Sequence, residues 1–417
     1  MKSFHWFSLY FIVFLCSFDG LEFVTGVGTF RLVHFFAGFC LIISMGTLVK
    51  YSKRTFRNMG GYALAVIGFI YLLYGPFTLS YSYYSKGTLT MILGQWCNIL
   101  IFFYCYSVLT IYPSFYARLP ELIISNIKIQ SVIILGNFVL LGVGVVASED
   151  RGNGILGIGR PGGFFNDPNW SSMFILILFF FVLYYFKDGR VKRKQVMQVS
   201  ALLVVDFLFT ESRVALIFFL ITLYLYFFKP ENRNVITFTG IIPVFLLLLL
   251  IGGDIKSLLP SRFYYDLLDY QHNPRLNDIN NLLTELTFYR RFKYGFGWGA
   301  LPFIADTYYW RNYSGSINVL PIQILFDFGY TGLTIFTLIF LNTLRKYKNG
   351  LLRFAFFTLM FFNIFHMAGY KQFYWVLLAL MLFLSRNEKS PIYNRKALPE
   401  PEPALAENDE EALAEVA

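Results

Sequence analysis

Long apolar runs return along most of the chain, and they constrain its fold more than any other feature. An α-helix needs about 20 mostly apolar residues to cross the hydrocarbon core of a bilayer. Because backbone polar groups in lipid must be satisfied within the protein, such runs predict helices. We expect an all-α, polytopic integral membrane protein with about twelve transmembrane helices. The predicted spans are residues 4–18, 30–48, 62–80, 89–112, 131–147, 170–186, 196–210, 213–228, 235–252, 318–342, 354–370 and 373–385.

Composition supports the same class. Only 14% of the residues are charged and 56% are apolar, whereas soluble chains average about 25% charged residues. The four cysteines lie inside apolar runs and the four histidines are scattered, which favours neither a metal site nor a disulfide framework. We therefore expect no metal and no cofactor. The net charge of +10 is explained better by membrane topology than by nucleic acid as a partner.

Basic residues follow every even-numbered span. Short loops rich in Lys and Arg stay cytoplasmic, so both termini are predicted to be cytoplasmic and the odd-numbered loops to face outward. Two of those outward loops are long, at residues 148–169 and 253–317, and the second is long enough to be partly helical. The basic residues are Lys50, Lys53, Arg54, Arg57, Arg118, Lys128, Lys187, Arg190, Lys192, Arg193, Lys194, Lys229, Arg233, Arg345, Lys346, Lys348 and Arg353.

The domain prediction is a single transmembrane domain at residues 1–396, followed by a tail. Residues 397–417 contain seven acidic residues and no Lys or Arg. This composition predicts a disordered tail, either native or added in cloning.

Three arginine-bearing segments are expected to meet at the outward face. In residues 159–170, glycines and prolines predict a tight turn before the sixth span, and Asp167 or Asn169 is placed to cap that helix. This segment is either a structured loop with a solvated Arg160 or a binding element.

The second segment is the short turn at residues 210–213, between the seventh and eighth spans. Arg213 would open an apolar helix, where a cation opposes the helix dipole and is costly at the membrane edge unless it is paired. Either Glu211 or an anionic ligand could compensate it.

The third segment, residues 288–299, has three cations within four residues, surrounded by aromatic residues and followed by alternating glycines. A solvated charged face is one interpretation. Aromatic rings beside cations also suit a membrane interface or stacking against sugars. The predicted substrate contacts are Arg290, Arg291, Tyr289, Trp298 and Asn169.

Arginine grips phosphate oxygens with a planar fork that stays charged. Outward-facing arginines at the headgroup level therefore suggest a lipid-borne diphosphate, whose developing charge Arg160 and Arg213 would stabilise during transfer. No Asp-x-Asp pair stands out for Mg²⁺, so the expected transfer is metal-independent.

The chain resembles the O-antigen ligase/polymerase superfamily of bacterial membrane glycosyltransferases over roughly residues 130–345. The matching residues are Arg160, Gly163, Asn166-Asp167-Pro168-Asn169, Ser212-Arg213-Val214-Ala215, and residues 318–333 with a Gly-x-x-Gly-Leu at the re-entry helix. The resemblance implies an inner-membrane enzyme whose arginines hold an undecaprenyl-diphosphate-linked glycan at the periplasmic face.

The resemblance also separates two activities. Ligases of this superfamily carry a histidine before the re-entry helix, but residues 315–318 here are Gly-Ser-Ile-Asn. This departure favours an O-antigen polymerase, with an inverting transfer between two undecaprenyl-diphosphate-linked repeat units. Other partners would be membrane lipids, a chain-length regulator and a flippase. Candidate bases for the acceptor hydroxyl are Asp167, Glu211, His272, Glu285 and Asp306.

Two alternatives stay open. A ligase would use the same donor but transfer the glycan to lipid A–core. A lipid-linked glycan transporter or flippase belongs to a different class, for which we see neither an internal repeat nor charge at mid-span.

Overall fold

The computed structural model describes residues 1–18, 22–25, 28–66, 73–82, 84–144, 160–165, 167–227, 283–287, 289–300, 320–346, 349–366 and 371–387. The predicted span at 235–252, most of the loop 253–317 and the tail 397–417 lie outside these residues.

The described chain is mostly helical. The helices are α1 (Lys2–Leu15), α2 (Leu32–Val66), α3 (Gly75–Phe77, followed by a 3₁₀ turn at Thr78–Ser80), α4 (Ser85–Ile111), α5 (Phe115–Gly142), α6 (Pro168–Lys187), α7 (Arg193–Thr210), α8 (Arg213–Phe227), α9 (Leu320–Lys346), α10 (Gly350–His366) and α11 (Gln372–Asn387). A small antiparallel hairpin of β1 (Glu22–Thr25) and β2 (Gly28–Arg31) was not predicted.

Helix length and hydropathy fit an all-α membrane protein. Among the described residues, four helices are long and apolar enough to cross a membrane: Leu32–Arg57 within α2, α4, α5 and α6. Shorter apolar segments lie in α8, α10 and α11. The twelve predicted spans are not all present as separate membrane-length helices in this part of the chain.

Helix α6 is the centre of the bundle. Its residues are buried from Ser171 to Tyr185, as expected for a helix that is apolar on every side. It contacts α5, α7, α8, α10 and α11. Its 20 residues extend about 30 Å, which matches the thickness of the hydrocarbon core.

The two ends of α6 therefore define two ends of the bundle. At the Arg160 end, α6 begins, α7 ends and α8 begins. The end of α1 and the start of α11 also lie there, since Phe18 and Phe373 contact the loop that follows Arg160. Gln372 Nε2 also donates to the carbonyl oxygen of Cys16 at 3.1 Å. At the Arg190 end, α6 ends and α7 begins, close to the start of α5, because Tyr116 donates to Asp188.

Two loops expected from the apolar pattern are helical instead. Helix α2 continues from Leu32 to Val66 through the basic residues that follow the second predicted span. Helix α5 begins at Phe115, so the predicted loop before residue 131 is also helix. Hydropathy locates the edge of the membrane, whereas a helix can extend beyond that edge into water. Both loop predictions were wrong for this reason.

Helix α9 is broken at Gly329, where φ is 66° and ψ is −166°. The break leaves backbone groups without helical partners, and the segment 289–300 supplies them. Phe296 N donates to Phe326 O at 2.8 Å, and Tyr330 N donates to Phe292 O at 2.7 Å. Non-helical backbone is tolerated at membrane depth only when protein satisfies it in this way.

Candidate functional site at the Arg160 end

The Arg160 loop, residues 160–165, is held by aromatic contacts. Phe164 stacks on Phe18, just beyond α1, with ring centroids 4.0 Å apart. Phe165 is buried and meets Phe373 of α11 edge-to-face at 5.4 Å. The loop is therefore attached to the first and last described helices of the bundle.

Two glycines allow the loop to turn tightly, as predicted. Phe165 N donates to Gly162 O at 3.1 Å, which closes the turn. Gly163 has a φ of 65°, in the left-handed region that favours glycine. A Cβ at Gly162 would collide with the carbonyl oxygen of Phe165. The glycines are therefore a geometric requirement of the turn.

Arg160 reaches across to the end of α7. Its Nε donates to Thr210 O at 3.0 Å, and its Nη2 lies 3.5 Å from Asn169 Oδ1. Glu211 Oε2 lies 4.0 Å from Nε, and the two side chains are only 7% and 3% exposed. The alternative of a solvated Arg160 is therefore wrong for this structure.

The start of α6 is capped by Asp167, one of the two residues predicted to do so. Its Oδ1 accepts from Asn169 N at 2.7 Å and from Asn169 Nδ2 at 2.9 Å. Pro168 occupies the first turn, where the absent N–H costs nothing. Because Asp167 holds the amide group of Asn169, the Asn169 oxygen is presented to Arg160.

The turn between α7 and α8 is as short as predicted. Glu211 ends α7 in the left-handed conformation, with φ 51° and ψ 33°, and Arg213 opens α8. Three residues extend at most about 11 Å, so the Arg213 backbone lies within that distance of Thr210. The side chain of Arg213 lies outside the described part of the structure.

A buried polar network lies beneath this turn, and sequence reasoning missed it. Thr210 Oγ1 is 2.8 Å from Ser172 Oγ, so α6 and α7 are linked directly below Arg160. One turn deeper, the fully buried Asp206 accepts from Ser131 of α5 at 2.5 Å. Both residues fall inside predicted spans, where a single carboxylate among apolar residues was the available signal.

Lys371 also lies at this end, and it was not predicted from the sequence. Its Nζ lies 3.9 Å from the centroid of the Trp170 ring, a cation–π geometry. Trp170 follows Asn169 directly in the chain. Two cations therefore contact the first turn of α6, Arg160 at Asn169 and Lys371 at Trp170.

The third predicted segment docks elsewhere, onto the break in α9 and the region before α4. Trp298 N lies 3.4 Å from Thr78 Oγ1. The Trp298 ring is 1% exposed and packs among Ile92, Ile324 and Phe328. This enclosure favours a packing role over the predicted contact with sugar. Tyr289 likewise packs edge-to-face on Phe296 at 5.7 Å.

Arg290 is exposed and Arg291 is partly buried. Neither forms a hydrogen bond or an ion pair with the Arg160 loop in the described residues. The structure thus joins two of the three predicted arginine segments and leaves the third separate. The pKa of Tyr81 is raised chiefly by burial and further by Tyr74 and Asp327, and the positive charge of Arg291 opposes this increase.

Backbone geometry singles out two of the predicted site residues. Among the described non-glycine residues, positive φ occurs at Glu211 and at Arg290, whose φ is 52°. A left-handed non-glycine residue costs on the order of 1 kcal/mol or more, and such residues cluster at functional sites. This observation is independent of the charge pattern that first pointed to them.

The remaining predictions concern metal ligands and the other candidate bases. Within those residues no group of three or more His, Cys, Asp or Glu side chains is placed to hold a metal ion. Glu285 lies on a short helical stretch at 283–287. His272 and Asp306 lie outside the described residues.

No protein-family model, curated protein or solved structure matches this chain.

Proposed function

We propose that this chain is a membrane glycosyltransferase, an O-antigen polymerase that joins undecaprenyl-diphosphate-linked repeat units. The reaction takes place at the Arg160 end, which faces the periplasm of a bacterial inner membrane. One observation carries the proposal. Arg160 donates to the carbonyl oxygen of Thr210 in the α7–α8 turn, and Thr210 is three residues before Arg213 in the chain. Two arginine residues at one end of a bundle of apolar helices suit a lipid diphosphate.

Burial strengthens the electrostatic part of the proposal. Arg160 and Glu211 are both almost fully buried, and charges in such a setting interact more strongly than in water. The Arg160 Nε donates to the Thr210 carbonyl at 3.0 Å, which fixes the guanidinium plane before any ligand arrives. Preorganised charge of this kind lowers a barrier most effectively.

The transfer requires only the donor and the acceptor as reactants. The acceptor hydroxyl oxygen attacks the anomeric carbon of the donor sugar and forms the new glycosidic bond. The bond from that carbon to the diphosphate oxygen breaks, and its electron pair leaves with the diphosphate. Arg160 and Arg213 stabilise this departing charge. Direct displacement inverts the anomeric configuration.

The acceptor hydroxyl proton needs a base. Asp167 and Glu211 are the two candidates at this end, and their surroundings differ. Asp167 Oδ1 already accepts two hydrogen bonds from Asn169. Glu211 lies beside Arg160 in a strained backbone conformation. We assign the base role to Glu211 and the structural role to Asp167.

The test uses cells that lack the native gene and carry Arg160→Ala or Arg213→Ala. Each variant should abolish the ladder of long-chain lipopolysaccharide. Arg193→Ala, which removes an exposed arginine at the Arg190 end, is the matched control and should keep the ladder. Equal ladders in all strains, with equal protein levels in the membrane, would remove Arg160 and Arg213 from the mechanism.

The same cells separate the polymerase from a ligase. Loss of a polymerase leaves lipid A–core that carries one repeat unit, whereas loss of a ligase leaves bare core. Bare core in the deletion strain would assign the chain as a ligase with the same donor.

One observation favours transport as a second candidate. Helix α9 is broken at Gly329, and broken helices line substrate sites in many transporters. In this chain the backbone groups at the break form hydrogen bonds with the segment 289–300. This favours a structural role for the break over a role in substrate binding. Purified protein incubated with a defined undecaprenyl-diphosphate repeat unit should form polymer on a gel, and a transporter would form none.

A further inference from the structure

A cavity of about 400 Å³ opens at the Arg190 end, between α5 and the loop that joins α6 to α7. One wall is a single face of α5, including Pro120, Glu121 and Lys128. The opposite wall is Arg190, Lys192 and the first turn of α7. The proposed glycosyl transfer takes place at the other end of the bundle and makes no use of this cavity.

The lining of the cavity is cationic. Lys128, Arg190 and Lys192 contribute three positive charges, and Glu121 contributes one negative charge. Within the described residues, neither lysine forms an ion pair with Glu121 or with any other carboxylate. Two ammonium groups therefore border one open cavity without an anionic partner from the described protein.

Arg190 is oriented by its neighbours. Its Nε donates to Asp188 Oδ2 at 2.8 Å, and its guanidinium carbon lies 4.9 Å from the centroid of the Tyr116 ring. Tyr116 in turn donates to the same carboxylate oxygen at 3.2 Å. Because Nε alone takes the carboxylate, the two terminal nitrogens of the fork remain to bind another anion.

The cavity also continues into an apolar surface. Val132 lies one turn beyond Lys128 on α5, and Val139 lies two turns further along the same face. These valines are 68% and 60% exposed. Helix α7, which packs beside α5, has Met197 61% exposed near its start. A ligand with a phosphate at one end and a hydrocarbon chain would meet both surfaces.

We propose that this cavity binds the phosphate of an anionic phospholipid headgroup, with an acyl chain lying along the exposed apolar face of α5. Basic pockets between membrane helices recognise lipid headgroups in this manner. The apolar face beside the cavity favours a lipid over a free phosphate ion. The proposal is independent of the glycosyl transfer.

The experiment compares lipid binding by full-length protein in detergent, measured by native mass spectrometry. Phosphatidylglycerol is titrated against phosphatidylcholine. Lys128→Gln/Lys192→Gln should lower the affinity for phosphatidylglycerol by about tenfold or more, since each basic residue near a phosphate contributes on the order of tenfold or somewhat less. Binding of phosphatidylcholine should not change.

The matched control is Arg193→Gln/Lys194→Gln. It removes the same charge from neighbouring exposed positions that do not line the cavity. Circular dichroism melting without added lipid shows whether each variant folds like the wild-type protein. The control pair should keep at least half of the wild-type affinity.

Three results would overturn the proposal. Equal losses in the two double variants would indicate general attraction to a basic surface. Equal binding of phosphatidylglycerol and phosphatidylcholine would exclude recognition of the headgroup charge. Full competition by soluble glycerol phosphate at the same concentration as the lipid would leave the apolar face without a role.

Discussion

The two ends of α6 each hold an arginine beside a carboxylate, and the two pairs are built in opposite ways. Arg190 and Asp188 are 2.8 Å apart with side chains 20% and 33% exposed, whereas Arg160 and Glu211 are 4.0 Å apart and almost fully buried. A solvent-accessible ion pair contributes little to the stability of the fold, even when its atoms are close. A buried pair carries a large desolvation cost.

The difference between the two ion pairs indicates which end of the bundle carries the functional site. Arg190 is fastened to its carboxylate and to a tyrosine ring. Arg160 directs its Nε to a backbone carbonyl, with Glu211 alongside in a left-handed conformation. A costly, strained and buried arrangement persists only if it is useful, and the Arg160 end has that character.

The largest expected contrast is in activity. Arg160→Lys keeps the charge but loses the planar fork, so polymer formation by the purified protein should fall by about 100-fold or more. Arg118→Lys, which alters an arginine stacked 4.5 Å over Trp6 at the Arg190 end, should change the rate less than about twofold. Rates are compared with a defined lipid-linked repeat unit, and similar rates for the two variants would end the comparison.

The second contrast is in stability. Glu211→Gln leaves a buried guanidinium without its carboxylate and should destabilise the fold by about 3 kcal/mol. Asp188→Asn removes a partly exposed partner and should cost less than about 1 kcal/mol. Unfolding in graded dodecyl sulfate, followed by circular dichroism, measures both. A larger loss of stability in Asp188→Asn than in Glu211→Gln would contradict the assignment of the costly ion pair to the Arg160 end.

The smallest contrast concerns Asp167. Asp167→Ala removes the cap of α6 and should cost about 1 kcal/mol, whereas Asp167→Asn should retain the cap. If Asp167 is structural, as we propose, the Asn variant also keeps most of its activity. An inactive but stable Asp167→Asn protein would transfer the base role from Glu211 to Asp167.

Local chemistry made much of the Arg160 end predictable. Asp167 precedes a proline and an apolar run, which is a recognisable helix start. The turn at Glu211 separates two apolar runs by so few residues that α7 and α8 had to be antiparallel neighbours. The predicted topology puts Arg160 and this turn on one face, and the structure adds the contact between them.

Long-range contacts were not predictable in the same way. Nothing in the local sequence of residues 289–300 indicates that their backbone fills the break in α9. The burial of Trp298 depends on that docking. Hydropathy also could not show that α2 and α5 continue beyond the apolar runs, because it reports solvent preference and not hydrogen bonding.

The contact of Phe165 with Phe373 has a consequence for assembly. Phe373 belongs to α11, the last described helix, which the ribosome makes after every other described helix. Until α11 is inserted, the Arg160 loop lacks one of its two aromatic supports. In a partly synthesised chain the loop would be anchored through Phe164 on Phe18 alone, so its final placement would wait until α11 has been inserted.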